Sequence, residues 1–244
     1  MNGPHFKGKG PMGKDTLEKG ILFVVSTPIG NLDDITLRAL ETLRRVDLIA
    51  AEDTRSTRKL LSRFDIHTPL VSYFEHKEVK RLDKLLAHLK RGKEIALVSD
   101  AGTPAVSDPG YRLIQQVIEQ GIPVVPIPGP SAVIAALSVS GLPTDRFSFV
   151  GFLPRKGGKR GKLLDKLADL DATSILYESP HRLVGTLENL LEVCGDRQVV
   201  ITRELTKAFE EVIRGKISDV MGTLKARRVR GEITIVLAGK GRKG

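Results

Sequence analysis

From residue 21 onward, short apolar runs alternate with stretches whose apolar positions recur at helical spacing. The runs at 21–27, 47–51, 69–74, 94–99 and 123–127 are bounded by turn residues and read as buried strands. Between them, Ile35, Leu37, Ala39, Leu40, Leu43 and Val46 follow a helical period, with Asp33 and Asp34 placed to cap it. Leu60, Leu61 and Phe64 mark a second helix, Leu82, Leu85, Leu86 and Leu89 a third, and Leu113, Ile114, Val117 and Ile118 a fourth. Strands that are apolar throughout and joined by helices predict a parallel sheet covered on both faces.

The texture changes near Gly141. Beyond it come runs at 147–153, 173–178, 198–204, 209–217 and 232–238, the last two with little room for a helix between them. That half predicts a mixed sheet. The expected fold is α/β in two domains, a parallel-sheet domain over 21–140 and a mixed-sheet domain over 141–240. Residues 1–20 read as a disordered basic arm and 241–244 as a basic tail.

In a parallel sheet, ligands collect at the carboxyl ends of the strands. Here those ends carry Thr27-Pro28-Ile29-Gly30-Asn31, Glu52-Asp53-Thr54-Arg55, Glu75-His76-Lys77-Glu78, the glycine- and proline-rich loop 99–110, and Pro128-Gly129-Pro130-Ser131. Any one of these could be a simple turn; five on one edge make a candidate site. Proline lacks an N–H, and Glu52, Asp53 and Asp100 repel phosphates, so a nucleotide polyphosphate suits this edge poorly. A ligand with a cationic centre and hydroxyls suits it better, with Ser131 at a helix start to receive an anionic end. S-adenosylmethionine meets that description, though composition alone does not single it out.

Charge adds a second theme. Lys plus Arg outnumber Asp plus Glu by 39 to 29, a net charge of +10 that favours anionic partners such as RNA. Arg155, Lys156, Lys159, Arg160, Lys162 and Lys166 concentrate it around Gly157, Gly158 and Gly161, which reads as a mobile loop gripping RNA phosphates. Lys225, Arg227, Arg228 and Arg230 form a second basic segment. Aromatic residues are 5% of the chain and Trp is absent, so base stacking is expected to be a minor term. Cys194 is the single cysteine, which excludes an intrachain disulfide and points to a reducing cytoplasm. No His or Cys pair stands at ligand spacing, so no metal is expected. No apolar stretch approaches the ~20 residues of a membrane helix.

Seven segments then carry a resemblance. Thr27-Pro28-Ile29-Gly30-Asn31-Leu32, Ala51-Glu52-Asp53-Thr54-Arg55, Ser99-Asp100-Ala101-Gly102-Thr103-Pro104, Pro128-Gly129-Pro130, Gly151-Phe152-Leu153-Pro154, Tyr177-Glu178-Ser179-Pro180-His181-Arg182 and Arg203-Glu204-Leu205-Thr206-Lys207 occur in order. Together they resemble the small-subunit ribosomal RNA methyltransferases of the tetrapyrrole methylase superfamily, from about Leu22 to Gly239. The resemblance implies S-adenosylmethionine-dependent 2′-O-methylation of a cytidine ribose in the decoding region of 16S rRNA. It also implies a cofactor cleft between two α/β domains, a homodimer, and small-subunit rRNA or the 30S particle as partner.

Carried onto this sequence, the resemblance sets Gly102, Thr103, Val106, Ser131 and Ala132 against the cofactor, with Pro28 and Asp100 nearby. Tyr177, Leu205 and Gly231 contribute from the second domain. Glu52 and Asp53 are the candidate general bases, with Arg55 holding one ionised. Where many relatives have His-x-His-Asn-Glu, this chain has Phe74-Glu75-His76-Lys77-Glu78. Many relatives also continue into a small helical domain where this sequence ends. A tetrapyrrole methylase, a diphthine-type protein methyltransferase and a non-catalytic ribosome-assembly factor remain as alternatives.

Overall fold

A computed structural model describes residues 19–73 and 79–241. The segment containing His76, nearly all of the expected arm and the last three residues of the basic tail lie outside the described residues. Lys19 and Gly20 are already tied to the first domain, Lys19 through the Gln120 carbonyl at 2.7 Å and Gly20 through the Leu89 carbonyl at 2.8 Å.

The first sheet contains β1 (Leu22–Val25), β2 (Leu48–Ala51), β3 (Leu70–Ser72), β4 (Ile95–Val98) and β5 (Val124–Ile127). All pair in parallel, in the order β3-β2-β4-β1-β5. Successive side chains on a strand point to opposite faces, and both faces are covered. Phe23, Val25, Ile49, Ala51, Ala96 and Val98 pack under α1 (Leu37–Arg45) and α2 (Thr54–Arg63). Leu22, Ala50, Ile95 and Leu97 pack under α3 (Val79–Lys90) and α4 (Tyr111–Glu119). Two-sided burial is why these strands read as unbroken apolar runs. The cap of α1 differs from expectation: Thr36 accepts the Ala39 N–H at 3.1 Å, while Asp33 and Asp34 form a separate 3-10 turn capped by Asn31.

The second sheet contains β6 (Phe147–Phe152), β7 (Thr173–Glu178), β8 (Gln198–Arg203), β9 (Glu211–Lys216) and β10 (Ile233–Leu237), in the order β6-β7-β10-β8-β9. Only β6 and β7 pair in parallel. One face is covered by α6 (Gly158–Asp169), α7 (Leu183–Cys194) and α8 (Ile217–Lys225). The other receives α5 (Ala132–Ser140), whose Val133, Ala136 and Leu137 pack with Ile175, Val200 and Val236. Helix α5 therefore joins the two sheets.

Two expectations fail here. The basic segment is helical from Gly158 onward rather than a mobile loop, with Arg155 and Lys156 in the turn before it, because Leu164 and Leu167 are buried against α7 and only the opposite side carries exposed cations. Helix α8 fits between β9 and β10 because β9 ends at Lys216, after which Ile217, Val220 and Leu224 recur at helical spacing and are buried. Among the described residues, no helix is long and apolar enough to cross a membrane.

Candidate functional site

The loops after β1, β4 and β5 meet at the carboxyl edge of the first sheet. Thr27 and Gly102 form an antiparallel bridge with reciprocal 2.9 Å hydrogen bonds. The Ser26 and Thr103 hydroxyls lie 3.0 Å apart, and the Thr27 hydroxyl donates to the Ser99 carbonyl at 3.1 Å. Gly129 packs so closely on Ser26 that a Cβ there would sit 3.0 Å from the Ser26 Cβ. These contacts turn three turn-rich segments into one wall.

That wall faces the second sheet across a cavity of about 290 Å³. Gly102, Thr103, Val106, Ser131 and Ala132 line it from the first domain, Tyr177 and Leu205 from the second. Pro28, Asp100 and Gly231 do not line it. Asp100 accepts the Asp53 N–H at 3.1 Å, joining the loops after β2 and β4. Gly231 has φ +92° and backs onto Glu204, whose carboxylate lies 2.5 Å from where a Cβ would be. Sequence reasoning missed Asp108, Phe152, Glu178 and Glu232 among the lining residues. Asp108 carried a signal, since it stands inside loop 99–110.

The backbone of that loop is strained. Ala105 and Ser107 take φ of 69° and 64°, in the left-handed region that non-glycine residues avoid. Glu204 and Thr206 do the same on the facing side, at 51° and 66°. Such conformations persist only where their surroundings over-determine them, and they cluster at functional sites.

The acidic groups divide by environment. Burial raises the Asp108 carboxyl above its ordinary value, and the charge of Asp100 adds to it. Glu52 is also raised, first by burial and then by the charges of Asp108, Asp100 and Asp53. Asp53 is the opposite case. Its carboxylate caps α2, accepts the Arg55 N–H at 2.8 Å and pairs with the Arg55 guanidinium at 2.8 Å, which lowers it to about 2. Asp53 and Arg55 thus form a helix-entry ion pair. Neither they nor Glu52 line the cavity. Burial lifts the Tyr177 phenol to about 12, so it stays protonated at neutral pH.

Beneath the cavity lies a buried polar network. The Glu178 side chain has no exposed surface; it pairs with Arg182 at 3.1 Å and accepts the Thr186 hydroxyl at 2.7 Å and the Ser179 N–H at 2.8 Å. Arg160 extends the network. Its guanidinium donates to Thr186 at 3.2 Å, to Asn189 at 3.0 Å and to the Pro154 carbonyl at 3.0 Å. It is turned inward, away from its basic neighbours. Arg155, Lys156, Lys159 and Lys162 are exposed, and among the described residues none pairs with a carboxylate. In the second basic segment Lys225 pairs with Glu188 at 2.7 Å and Arg227 with Glu211 at 2.8 Å.

The two-sheet α/β fold is shared with solved structures of methyltransferases. The chain belongs to the tetrapyrrole (corrin/porphyrin) methylase family, whose model matches residues 22–221. Within it, the chain is 50% identical over 226 residues to ribosomal RNA small subunit methyltransferase I of Halalkalibacterium halodurans, covering 93% of this chain and 78% of that protein. It is 50% identical over 221 residues to the protein of the same name from Thermotoga maritima, covering 91% and 99%. A diphthine synthase structure matches the fold at TM-score 0.70 and 18% identity, over 90% of each chain. A Thermus thermophilus uroporphyrin-III C-methyltransferase matches at 0.62 and 22%, over 89% of this chain and 94% of that one.

Proposed function

We propose that this protein transfers the methyl group of S-adenosylmethionine to the ribose 2′-oxygen of a cytidine in the decoding region of 16S rRNA. The observation that carries the reading is its 50% identity, over nine-tenths of its length, with proteins named ribosomal RNA small subunit methyltransferase I. The reading includes a homodimer, a cytoplasmic setting, and free rRNA or the 30S particle as acceptor.

The cavity residues fit the cofactor. Ser131 precedes α5 without capping it, which leaves its hydroxyl and the first N–H groups of the helix for a carboxylate. Ile29, Val106, Ala132 and Leu205 offer apolar surface, and Asp108 offers a carboxylate to a cationic centre. Gly102, Thr103, Val106, Ser131 and Ala132 would hold the cofactor from one side, Tyr177 and Leu205 from the other. Bound there, S-adenosylmethionine supplies an electrophilic methyl carbon.

The protein's share is alignment, which accelerates such displacements by orders of magnitude. A general base adds ~10²- to 10⁴-fold. Glu52 has the raised pKa that the role asks for, and Asp108 joins it as a candidate on the cavity wall. Asp53, held near 2 by Arg55, is a weak base. The test incubates the protein with labelled S-adenosylmethionine and small ribosomal subunits from cells lacking it, then maps alkali-resistant linkages. One resistant cytidine linkage is expected; label confined to a base, to protein or to a tetrapyrrole overturns the reading.

A further inference from the structure

Phe152 lines the cavity yet remains 57% exposed. Its position is a product of a β-bulge. In the pairing of β6 with β7, Phe149 faces Ile175, Gly151 faces Leu176 and Phe152 faces Tyr177, so Val150 is an extra residue. Side chains alternate between sheet faces, and one extra residue inverts the alternation. Val150 and Leu153 pack into the helix-covered core, while Phe149 and Tyr177 belong to the face that receives α5. Without the bulge Phe152 would join the former; with it, the ring lies on the cavity side. Gly151 makes the bulge possible at φ +71°, and Ser107 of the opposite wall lies 3.1 Å from where its Cβ would be.

The ring is braced rather than covered. Its centroid is 5.6 Å from that of Tyr177 at a 57° tilt, and Tyr177 rests edge-on against Phe149 at 5.0 Å. The following segment is pinned from two sides: Arg182 donates to the Leu153 carbonyl at 2.6 Å and Arg160 to the Pro154 carbonyl at 3.0 Å. After the pins come the exposed cations Arg155, Lys156 and Lys159, which pair with no carboxylate among the described residues. An exposed aromatic ring on the cavity wall is therefore followed along the chain by a cluster of cations.

We propose that Phe152 is a stacking platform for an unpaired base of single-stranded RNA, whose flanking phosphates lie on Arg155 and Lys156. This rests on the RNA-methylating reading and names how the acceptor is presented. Only an unpaired base exposes a face to an aromatic ring, and stacking combined with a cationic track is how single strands are held. The scarcity of aromatic residues does not oppose this, because one correctly placed ring suffices.

The test measures binding of a fluorescein-labelled oligocytidylate, and of its abasic counterpart, to the wild type, Phe152→Ala, Phe152→Leu and Phe152→Tyr. Urea unfolding checks that each variant keeps its fold. Phe152→Ala and Phe152→Leu should weaken oligocytidylate binding by roughly 5- to 150-fold. They should leave binding of the abasic strand unchanged, and Phe152→Tyr should bind like the wild type. Equal oligocytidylate affinity in Phe152→Ala, or a wild type that binds no oligonucleotide, overturns the proposal. If binding depends on Phe152 but small subunits gain no methyl group, the platform stands and the methylation reading falls.

Discussion

The main-chain N–H of Asn31 donates to the Thr206 hydroxyl at 2.9 Å, tying the loop after β1 to the loop after β8. Beside it, a Cβ on Gly30 would lie 2.5 Å from Lys207 Cγ, 2.6 Å from Thr206 Oγ1 and 2.8 Å from the Leu205 carbonyl oxygen. The last is main chain and cannot swing aside. Ile29 and Leu205 both line the cavity, so this contact sets the spacing of its walls. Gly30→Ala should therefore lower affinity for S-adenosylmethionine by about tenfold or more, equivalent to ~1.4 kcal/mol. Calorimetry decides; wild-type affinity would show that the loops move independently of the cavity.

Glu178 organises the floor of the same cavity. Removing a partner from a buried charge costs more than removing one neutral hydrogen bond. Glu178→Ala removes the carboxylate that pairs with Arg182 and accepts the Thr186 hydroxyl, and should destabilise by up to roughly 3–5 kcal/mol, Arg182 keeping the Leu153 carbonyl. Thr186→Val removes one donor to the carboxylate and one of the three acceptors of Arg160, and should cost about 1–3 kcal/mol. Urea unfolding of the two variants tests this order, and equal losses would contradict it.

The carboxyls of Asp108, Glu52 and Asp100 are all raised, so the native state binds their protons more tightly than the unfolded chain does. Between the ordinary value, 3.8 for Asp108, and the raised native value, stability must fall as pH rises. The ionised cluster is therefore a cost at neutral pH. Asp108→Asn should be more stable than wild type at pH 7, and the gain should shrink on acidification and vanish below the ordinary carboxylate range. Its affinity for S-adenosylmethionine should move the other way, because a carboxylate facing a cationic ligand is lost. Stability curves across pH, paired with calorimetry, read both signs; a variant less stable at pH 7 would refute the assignment.

How much of this was legible depended on whether the deciding interaction was local. The strands around Leu22, Ile49, Ile95 and Val124 announced themselves because burial on both faces leaves unbroken apolar runs. The cavity wall from Gly102 to Ala132 followed from where those runs end. Helix α6 was hidden because Gly157, Gly158 and Gly161 outweighed the spacing of Arg160, Leu164 and Leu167, whose burial depends on α7. The Asp53–Arg55 pair looks alike in sequence whether it serves chemistry or caps a helix. The orientation of Phe152 was illegible for a different reason: the bulge that turns it depends on register with β7, which no segment of β6 encodes alone.

Helix α6 and the turn before it also separate two roles that their cations appeared to share. Lys156, Lys159 and Lys162 are exposed, whereas Arg160 donates to Pro154, Thr186 and Asn189. Each phosphate neutralised on a single strand contributes about 0.7 to the slope of log affinity against log salt. Replacing the three lysines by alanine should flatten that slope by up to about 2 and leave the unfolding midpoint nearly unchanged. Arg160→Ala should do the reverse, keeping the slope while losing roughly 1–3 kcal/mol of stability as its partly buried acceptors lose their donor. Salt titrations of small-subunit rRNA binding, set against urea unfolding, distinguish the two. A flattened slope in Arg160→Ala at wild-type stability would return that side chain to the phosphate-binding surface.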